Sequence, residues 1–468
     1  MIAAQQNSLD SSNHTLIVGL GATGLSCARF LRRRGEVFSV IDSRSAPPAL
    51  QQLQSEMPEV LTFCGSFDAP VMKTAQRIVL SPGISLHEPP IAAAMQRGAD
   101  ILGDIELFAR HVDAPVVAIT GSNGKSTVTT LVGEMGKAAG WDVKVGGNIG
   151  TPALDLLGSG LSSKKTRPDF YVLELSSFQL ETTRSLNAYA AVVLNVSPDH
   201  MDRYHDIDEY AAAKRKIYLG DGILVINGDD AWVVAMESAF KQQFKQQNAN
   251  RRIIRFTLQS PKQEEFGISS ADGEQWLAFG NNRLLNTQAL RIAGKHNQAN
   301  ALAALALGDA MRIPMNTMLE VLREFPGLPH RTQWVASLNN VTWYNDSKGT
   351  NVGATVAAVA GMPGGKVLIA GGDGKGADFT PLKDMAIHHD VKAVVLIGRD
   401  GPAIAKALDA AAPVSYATDM LDAVNQANGL AHPGDCVLLS PACASFDMFD
   451  NYVARGKAFE QAVKGLTA

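Results

Sequence analysis

The run Thr120-Gly-Ser-Asn-Gly-Lys-Ser-Thr127 sets two glycines, a lysine and hydroxyl side chains side by side. It follows the apolar stretch Pro115–Ile119 and precedes a helix-like segment, Val128–Met135. Strand, glycine loop, Lys-Ser and helix together form a phosphate cradle. Gly121 and Gly124 let the backbone bend so that its N–H groups point inward. Lys125 can reach the terminal phosphates of ATP, and the Ser126 hydroxyl can ligate Mg²⁺. The spacing departs from the usual loop, which has four residues between its first glycine and Gly-Lys-Ser; here that position, 119, is Ile and the nearest upstream glycine is Gly121. The plain alternative is a chance Gly-Lys-Ser in a surface turn, which the flanking strand and helix disfavour.

A second glycine loop, Gly19-Leu-Gly-Ala-Thr-Gly24, follows the apolar Thr15–Val18, and Asp42 ends the next apolar run. Alone, this is a dinucleotide fingerprint and supports an NAD-dependent oxidoreductase. Two other readings stay open: a nucleotide diphosphate such as a UDP-sugar on the same helix N-terminus, or a tight turn without cofactor. Glu174-Leu-Ser-Ser-Phe-Gln179 and Asn195-Val-Ser-Pro-Asp-His200 each close an apolar run. Ligands of α/β sheets collect at such carboxyl ends, so Glu174 and His200 would face the phosphates. Helix capping by Glu174 and a surface His200 are the plain alternatives. Tyr210–Tyr218 carries Lys214, Arg215 and Lys216, and spacing alone favours a solvated basic face. His296-Asn-Gln-Ala-Asn300 reads as a helix cap or an adenine contact. Pro329-His-Arg331, Asn345–Asn351 and Gly371–Asp378 place charged groups in loops, as a closing third domain would.

Three α/β stretches would position these groups. The first holds Thr15–Gly19, Phe38–Asp42 and Arg77–Ser81. The second starts at the phosphate loop and holds Phe170–Glu174, Ala191–Asn195 and Gly222–Asn227. Short, turn-rich β structure is expected over 256–295, then a helix over Asn300–Met311. The third holds Lys366–Ala370, Ala393–Ile397 and Asp435–Ser440. Boundaries fall near 103 and 327, giving domains 1–103, 104–327 and 328–468. Residues 158–168 read as an exposed loop, and Lys241–Arg252 as a polar stretch with helical character. The 468 residues exceed one core and suggest about three domains. With 42 basic against 46 acidic residues, the net charge of −4 argues against a general nucleic-acid or membrane-surface role. Cys27, Cys64, Cys436 and Cys443 lack metal spacing and read as buried free thiols in a reducing cytoplasm. No apolar run approaches the roughly 18 residues of a membrane span.

Thr120–Thr127, Gly147-Asn-Ile-Gly150, Glu174–Gln179, Asp199-His200, His296–Asn300, His330-Arg331 and Asp346-Ser-Lys348 occur in order. This set resembles the Mur ligase family over nearly the whole chain. Asn345–Gly353, Gly372–Lys375 and Leu439–Phe449 point within it to the D-glutamate-adding member. The resemblance implies three domains: an N-terminal Rossmann-like domain, a central P-loop ATPase-type parallel sheet and a C-terminal Rossmann-like domain. It implies a monomeric cytoplasmic ligase joining D-glutamate to UDP-N-acetylmuramoyl-L-alanine through an acyl-phosphate, without NAD. ATP would lie on Gly121, Ser122, Asn123, Gly124, Lys125, Ser126 and Thr127, with Asn300, Arg331 and Asp346. The UDP-sugar would lie near Gly21, Ala22, Thr23, Ser43, Arg44, Ser81 and Gly83, and its peptide near Asn148, Ser176 and Gln179. Ser126 and Glu174 would hold one Mg²⁺ and His200 a second. Lys214 matches a carbamylated lysine that would orient metal, its pKa lowered by Arg215 and Lys216. Lys348 would stabilise the transferring phosphoryl group. Lys375, Ser445, Phe446 and Tyr452 match the D-glutamate pocket, although Phe446 and Tyr452 depart from the usual residues there. Other Mur ligases, folylpolyglutamate synthase and a catalytically dead ATP-binding regulator are the rival readings.

Overall fold

The computed structural model describes residues 14–158, 167–197, 199–200, 203–247, 251–292, 294–362 and 364–466. They divide into two compact units. One runs to Ile268 and includes Ala278–Asn282 and Leu302–Met318. The other comprises Ser269–Leu277, Arg283–Ala301 and the residues from Leu319. The expected α/β class holds, with three mostly parallel sheets.

In the first unit, β1 (Thr15–Val18), β2 (Phe38–Asp42), β3 (Thr62–Cys64), β4 (Arg77–Leu80) and β5 (Asp100–Leu102) form a parallel sheet ordered β3-β2-β1-β4-β5. Its strands are continuous apolar runs because helices cover both faces; Leu16, Ile17 and Val18 are fully buried. Strand order reverses between β1 and β4, so the loops after them meet at the switch point.

The second sheet is built on β6 (Val116–Thr120), β7 (Val143–Gly147), β8 (Phe170–Glu174), β9 (Ala190–Val193), β10 (Ile223–Asn227) and β11 (Ile253–Phe256). These run in the order β11-β10-β9-β6-β8-β7, all parallel. β6 is therefore interior, flanked by β9 and β8, and the phosphate loop opens between their carboxyl ends. The expected turn-rich β region is β12 (Glu265–Ala271), β13 (Glu274–Phe279) and β14 (Asn282–Asn286). The alanine-rich helix begins at Lys295, not Asn300. His296–Asn300 thus lies inside its first turns, where the Asn300 amide donates to Asn297 Oδ1 at 3.1 Å. The Gln-rich stretch is helical to Gln247; 248–250, like 159–166 of the expected loop, lie outside the described residues.

In the second unit, β15 (Gln333–Leu338), β16 (Val341–Asn345), β17 (Lys366–Gly371), β18 (Val391–Ile397), β19 (Val414–Tyr416) and β20 (Cys436–Leu439) are ordered β15-β16-β20-β17-β18-β19. Only β15 is antiparallel, joined to β16 by Asn339-Asn340, both with positive φ. Asparagine tolerates that conformation, which two-residue hairpin turns demand. Cys27, Cys436 and Cys443 are buried and free, but Cys64 is exposed at a sheet edge, against expectation. Among the described residues no helix is long and apolar enough to cross a membrane.

Candidate active site

The N-terminal glycine loop is fixed by close approach. Gly19 has φ +96°, and a Cβ there would lie 2.8 Å from Ser81 Cβ and Ile84 Cδ1. Ser81 Oγ donates to the Gly19 carbonyl at 3.0 Å, tying the two switch-point loops together. The helix Ala22–Arg33 has no acidic residue in its first turn, so its N–H groups offer an anion site. Gly21, Ala22 and Thr23 stand at that terminus, Ser43 and Arg44 follow β2, and Ser81 and Gly83 follow β4. Asp42, which carried the NAD reading, is otherwise engaged. Its Oδ2 accepts the Leu20 N–H at 2.7 Å and an Arg44 guanidinium N–H at 2.6 Å. Its Oδ1 accepts the Arg44 backbone N–H at 2.9 Å and Nε–H at 2.8 Å. Burial alone would raise the Asp42 pKa, but Arg44 and the two backbone donors outweigh it and hold the carboxyl below its usual range. The carboxylate anchors Arg44 and the glycine loop rather than presenting itself to a ribose.

The phosphate loop is clamped from β9. The Ser122 N–H donates to the Asn195 carbonyl at 3.0 Å, and the Asn123 N–H to Asn195 Oδ1 at 2.8 Å. Ser122 Oγ donates to the Ser197 carbonyl at 3.0 Å. Gly121 and Gly124 have φ +156° and +82°, values at which a larger residue is strained. Thr127 and Ser126 lie in the first turn of the helix Lys125–Ala138, which also lacks acidic residues there.

Two cations converge on one backbone oxygen. Lys125 Nζ donates to the Gly121 carbonyl at 2.9 Å and Lys214 Nζ to the same oxygen at 3.0 Å. Lys214 is 1% exposed, on the helix Ile207–Arg215, with Nζ 4.4 Å from the Tyr210 ring. Burial lowers its pKa to about 7, the Lys125 charge adds to this, and Asp199 opposes it. Arg215 and Lys216 are not the cause: the decisive effects are desolvation and a lysine distant in sequence. The expected solvated basic face is thus corrected at its key residue, because Lys214 points inward beneath the loop.

Glu174 ends β8 and is 3% exposed. Its Oε1 accepts the Asn148 amide at 2.8 Å, while Oε2 is buried without a hydrogen-bond partner among the described residues. A buried, unmatched carboxylate oxygen is costly alone and suits a hard cation. No three His, Cys, Asp or Glu converge among the described residues. Mg²⁺ fits such a set, since it is commonly held by one or two carboxylates together with phosphate and water oxygens. His200 is exposed at φ +57°, with its ring 4.8 Å from Phe178. Ser176 and Gln179 form a capping box, and the buried Gln179 amide donates to Asp104 Oδ2 at 2.9 Å. Gln179 therefore ties the turn after β8 to Asp104.

In the second unit the proposed groups also follow β16, β17 and β20. Asp346 Oδ2 accepts from Ser440 Oγ at 2.7 Å, and Oδ1 from the Thr332 N–H at 3.0 Å. Burial pushes the Asp346 pKa to about 6 despite these donors. Arg331 is exposed between His330 and Thr332, both with positive φ. Asp373 and Ala444 exchange backbone hydrogen bonds at 3.0 and 2.9 Å, so the Lys375 loop lies beside the Ser445 loop. Lys375 Nζ is 5.4 Å from the Phe446 ring, and Lys348 Nζ 5.5 Å from the Tyr452 ring. Lys375, Ser445 and Phe446 are thus neighbours, with Phe446 65% exposed, whereas Tyr452 lies beside Lys348 and His330.

Family models match all three parts: the Mur ligase MurD-like N-terminal domain over 13–103, the Mur ligase middle domain over 119–308 and the Mur ligase glutamate ligase domain over 330–443. The chain belongs to the Mur ligase family. A relative from Nitrosococcus oceani is 53% identical over 96% of both chains. One from Marinobacter nauticus is 51% identical over 97% of this chain and 99% of its own. Both bear the name UDP-N-acetylmuramoylalanine–D-glutamate ligase. The fold is also that of solved structures at low identity. The UDP-N-acetylmuramate-alanine ligase of Thermotoga maritima has a TM-score of 0.52 at 17% identity, covering 97% of this chain and 99% of its own. A UDP-N-acetylmuramoyl-L-alanyl-D-glutamate–2,6-diaminopimelate ligase has a TM-score of 0.59 at 17% identity, covering 85% and 94%.

Several supports of this Mur ligase site escaped sequence reasoning. The run Asn195–His200 stands out in the sequence for His200, but the clamp that Asn195 and Ser197 form on the phosphate loop does not, since its hydrogen bonds run between distant segments. Arg455 is 1% exposed; it donates to Ser347 Oγ at 3.0 Å, the Ser347 carbonyl at 2.9 Å and the Cys443 carbonyl at 3.1 Å. Burial lowers its pKa to about 10. The only signal was an arginine on the inward face of a terminal helix.

Proposed function

We propose that this Mur ligase joins D-glutamate to UDP-N-acetylmuramoyl-L-alanine at the expense of ATP, as a monomer in the cytoplasmic stage of peptidoglycan synthesis. The observation that carries the reading is the pair of lysines on the Gly121 carbonyl just after β6, whose neighbour β8 ends in the unmatched Glu174 oxygen. A carboxylate must approach a triphosphate, and two anions meet only where cations and inward N–H groups neutralise them. Residues 1–103 would hold the UDP-sugar, 104–327 ATP and 328–468 the amino acid.

The alanine carboxylate oxygen attacks the γ-phosphorus, the bond to the ADP oxygen breaks, and an acyl-phosphate forms. The D-glutamate amine then attacks the acyl carbon, phosphate departs with the C–O bond electrons, and the amine proton passes to solvent. Gly121–Thr127 orient the triphosphate, and Lys125 and Lys348 hold its terminal oxygens. Asn300, Arg331 and Asp346 bind the rest of the nucleotide. Gly21–Thr23, Ser43, Arg44, Ser81 and Gly83 hold the UDP moiety, with Asn148, Ser176 and Gln179 beside the peptide. Lys375 faces the D-glutamate side-chain carboxylate, flanked by Ser445, Phe446 and Tyr452. Ser126 and Glu174 would hold one Mg²⁺, with His200 and carbamylated Lys214 at a second; the ions supply positive charge to the phosphates. Lys214 is suited to this change: a neutral amine adds to CO₂, forms an N–C bond and loses a proton, becoming an anion.

Incubation with ATP-Mg²⁺, UDP-N-acetylmuramoyl-L-alanine and D-glutamate, L-glutamate, L-lysine, diaminopimelate or L-alanine tests the reading. Ligated product with D-glutamate alone is expected. Product with a different amino acid would overturn the pocket assignment at Lys375 and Ser445.

A further inference from the structure

Within the first unit, a cavity of about 900 Å³ opens between the helix Pro89–Gln96 and the segment Ile207–Gly220. That volume is within the roughly 300–1,000 Å³ of pockets that enclose small organic ligands. None of the residues assigned above to nucleotide, sugar, metal or amino acid lines it.

Its charged lining is dominated by Arg203, Arg215, Lys216 and Arg251, against Glu181 and Glu209. The carboxylates are engaged. Glu181 accepts from Arg203 and from the Tyr204 hydroxyl, each at 2.6 Å, and Glu209 accepts the His205 N–H at 2.8 Å. Two cations lack a carboxylate partner. Lys216 Nζ donates to the Glu181 backbone carbonyl at 2.5 Å, and the Arg215 side chain has no hydrogen bond or ion pair among the described residues. The apolar part of the wall includes Phe240 and Leu86, with Met95 and Leu219 left 46% and 37% exposed. Unmatched cations beside exposed apolar surface are complementary to an anion carrying an apolar body.

We infer that this cavity is a second ligand site, built for a small organic anion with an aromatic or branched apolar body. It is one wall away from the reaction centre. The Arg203 guanidinium lies 4.4 Å from the Phe178 ring, whose neighbour is His200 at 4.8 Å. Lys216 follows Lys214 by two residues, so the two lysines leave one chain segment toward different sides. An occupant here would press on the supports of His200 and Lys214 without entering the substrate positions.

The test is binding of naphthalene-2-sulfonate to the full chain by saturation-transfer NMR and calorimetry. A non-hydrolysable ATP analogue, Mg²⁺ and UDP-N-acetylmuramoyl-L-alanine are kept saturating. The sulfonate is expected to bind with the substrates present. Arg215→Glu should weaken it about tenfold, since the change exchanges attraction for repulsion near the head group. Met95→Asp should weaken it through the apolar wall, and neutral 2-naphthol should bind more weakly than the sulfonate. Absent binding, displacement by the substrates, equal binding of 2-naphthol, or unchanged affinity in both variants would overturn the proposal.

Discussion

The Lys214 ammonium is buried with the Gly121 carbonyl as its acceptor and Lys125 on the same oxygen. With its pKa lowered to about 7 from 10.5, a neutral fraction is present at physiological pH. Carbamylation needs that neutral amine, so activity limited by bicarbonate should rise as pH increases through 7. Lys214→Ala should abolish turnover, and added formate or acetate should partly restore it; an active unrescued variant would remove Lys214 from the mechanism. The linked stability has a definite sign. Between about pH 7 and 10.5 the unfolded chain binds more protons than the folded one, so this group makes stability rise with pH across that window. Lys214→Met should flatten that slope in urea unfolding. Asp42→Ala strips acceptors from the Leu20 N–H and Arg44, and should cost about 1–3 kcal/mol in urea unfolding. The same variant should show no change in NAD(H) affinity, because Asp42 is occupied by Arg44.

Elements carry the site through their carboxyl ends, and glycines decide how close those ends come. A Cβ on Gly24 would lie 1.9 Å from the Gly19 carbonyl oxygen, so Gly24→Ala must push the helix Ala22–Arg33 off its loop. About tenfold weaker UDP-substrate binding is expected, read by calorimetry, with the ATP affinity retained. Arg455 plays the matching role in the second unit, where its fork ties Ser347 of the Asp346–Lys348 loop to Cys443 of the Ser445 loop. Arg455→Met should cost about 2–3 kcal/mol, because the Ser347 and Cys443 acceptors lose buried donors. It should raise the KM for D-glutamate more than that for the UDP-substrate. The long apolar strands β1, β6, β8 and β17 were legible because their parallel neighbours are covered on both faces. Short edge strands such as β3, β5 and β19 were not, since three residues carry no periodicity. The antiparallel β15 was missed although Asn339-Asn340 marks its turn. The motif residues were legible by type, but the inward turn of Lys214 was not. Its burial comes from a loop far away in sequence.

Across the whole molecule, each of the three α/β sheets carries, in loops after its strands, the residues proposed above to bind anions. The net charge of −4 is compatible with this because the cations are gathered at particular loops. Spacing in the first glycine loop is compatible with NAD; the family resemblance points away from it, and the packing of Asp42 against Arg44 agrees. In the proposed reaction the alanine carboxylate is activated by phosphorylation and then trapped by D-glutamate. The direct measurement supplies UDP-N-acetylmuramoyl-L-alanine labelled with ¹⁸O in its carboxylate, together with ATP-Mg²⁺ and D- or L-glutamate. Mass spectrometry then follows the label. Product with D-glutamate only, and ¹⁸O in inorganic phosphate, is predicted. Label appearing in AMP, or equal product from L-glutamate, would contradict it.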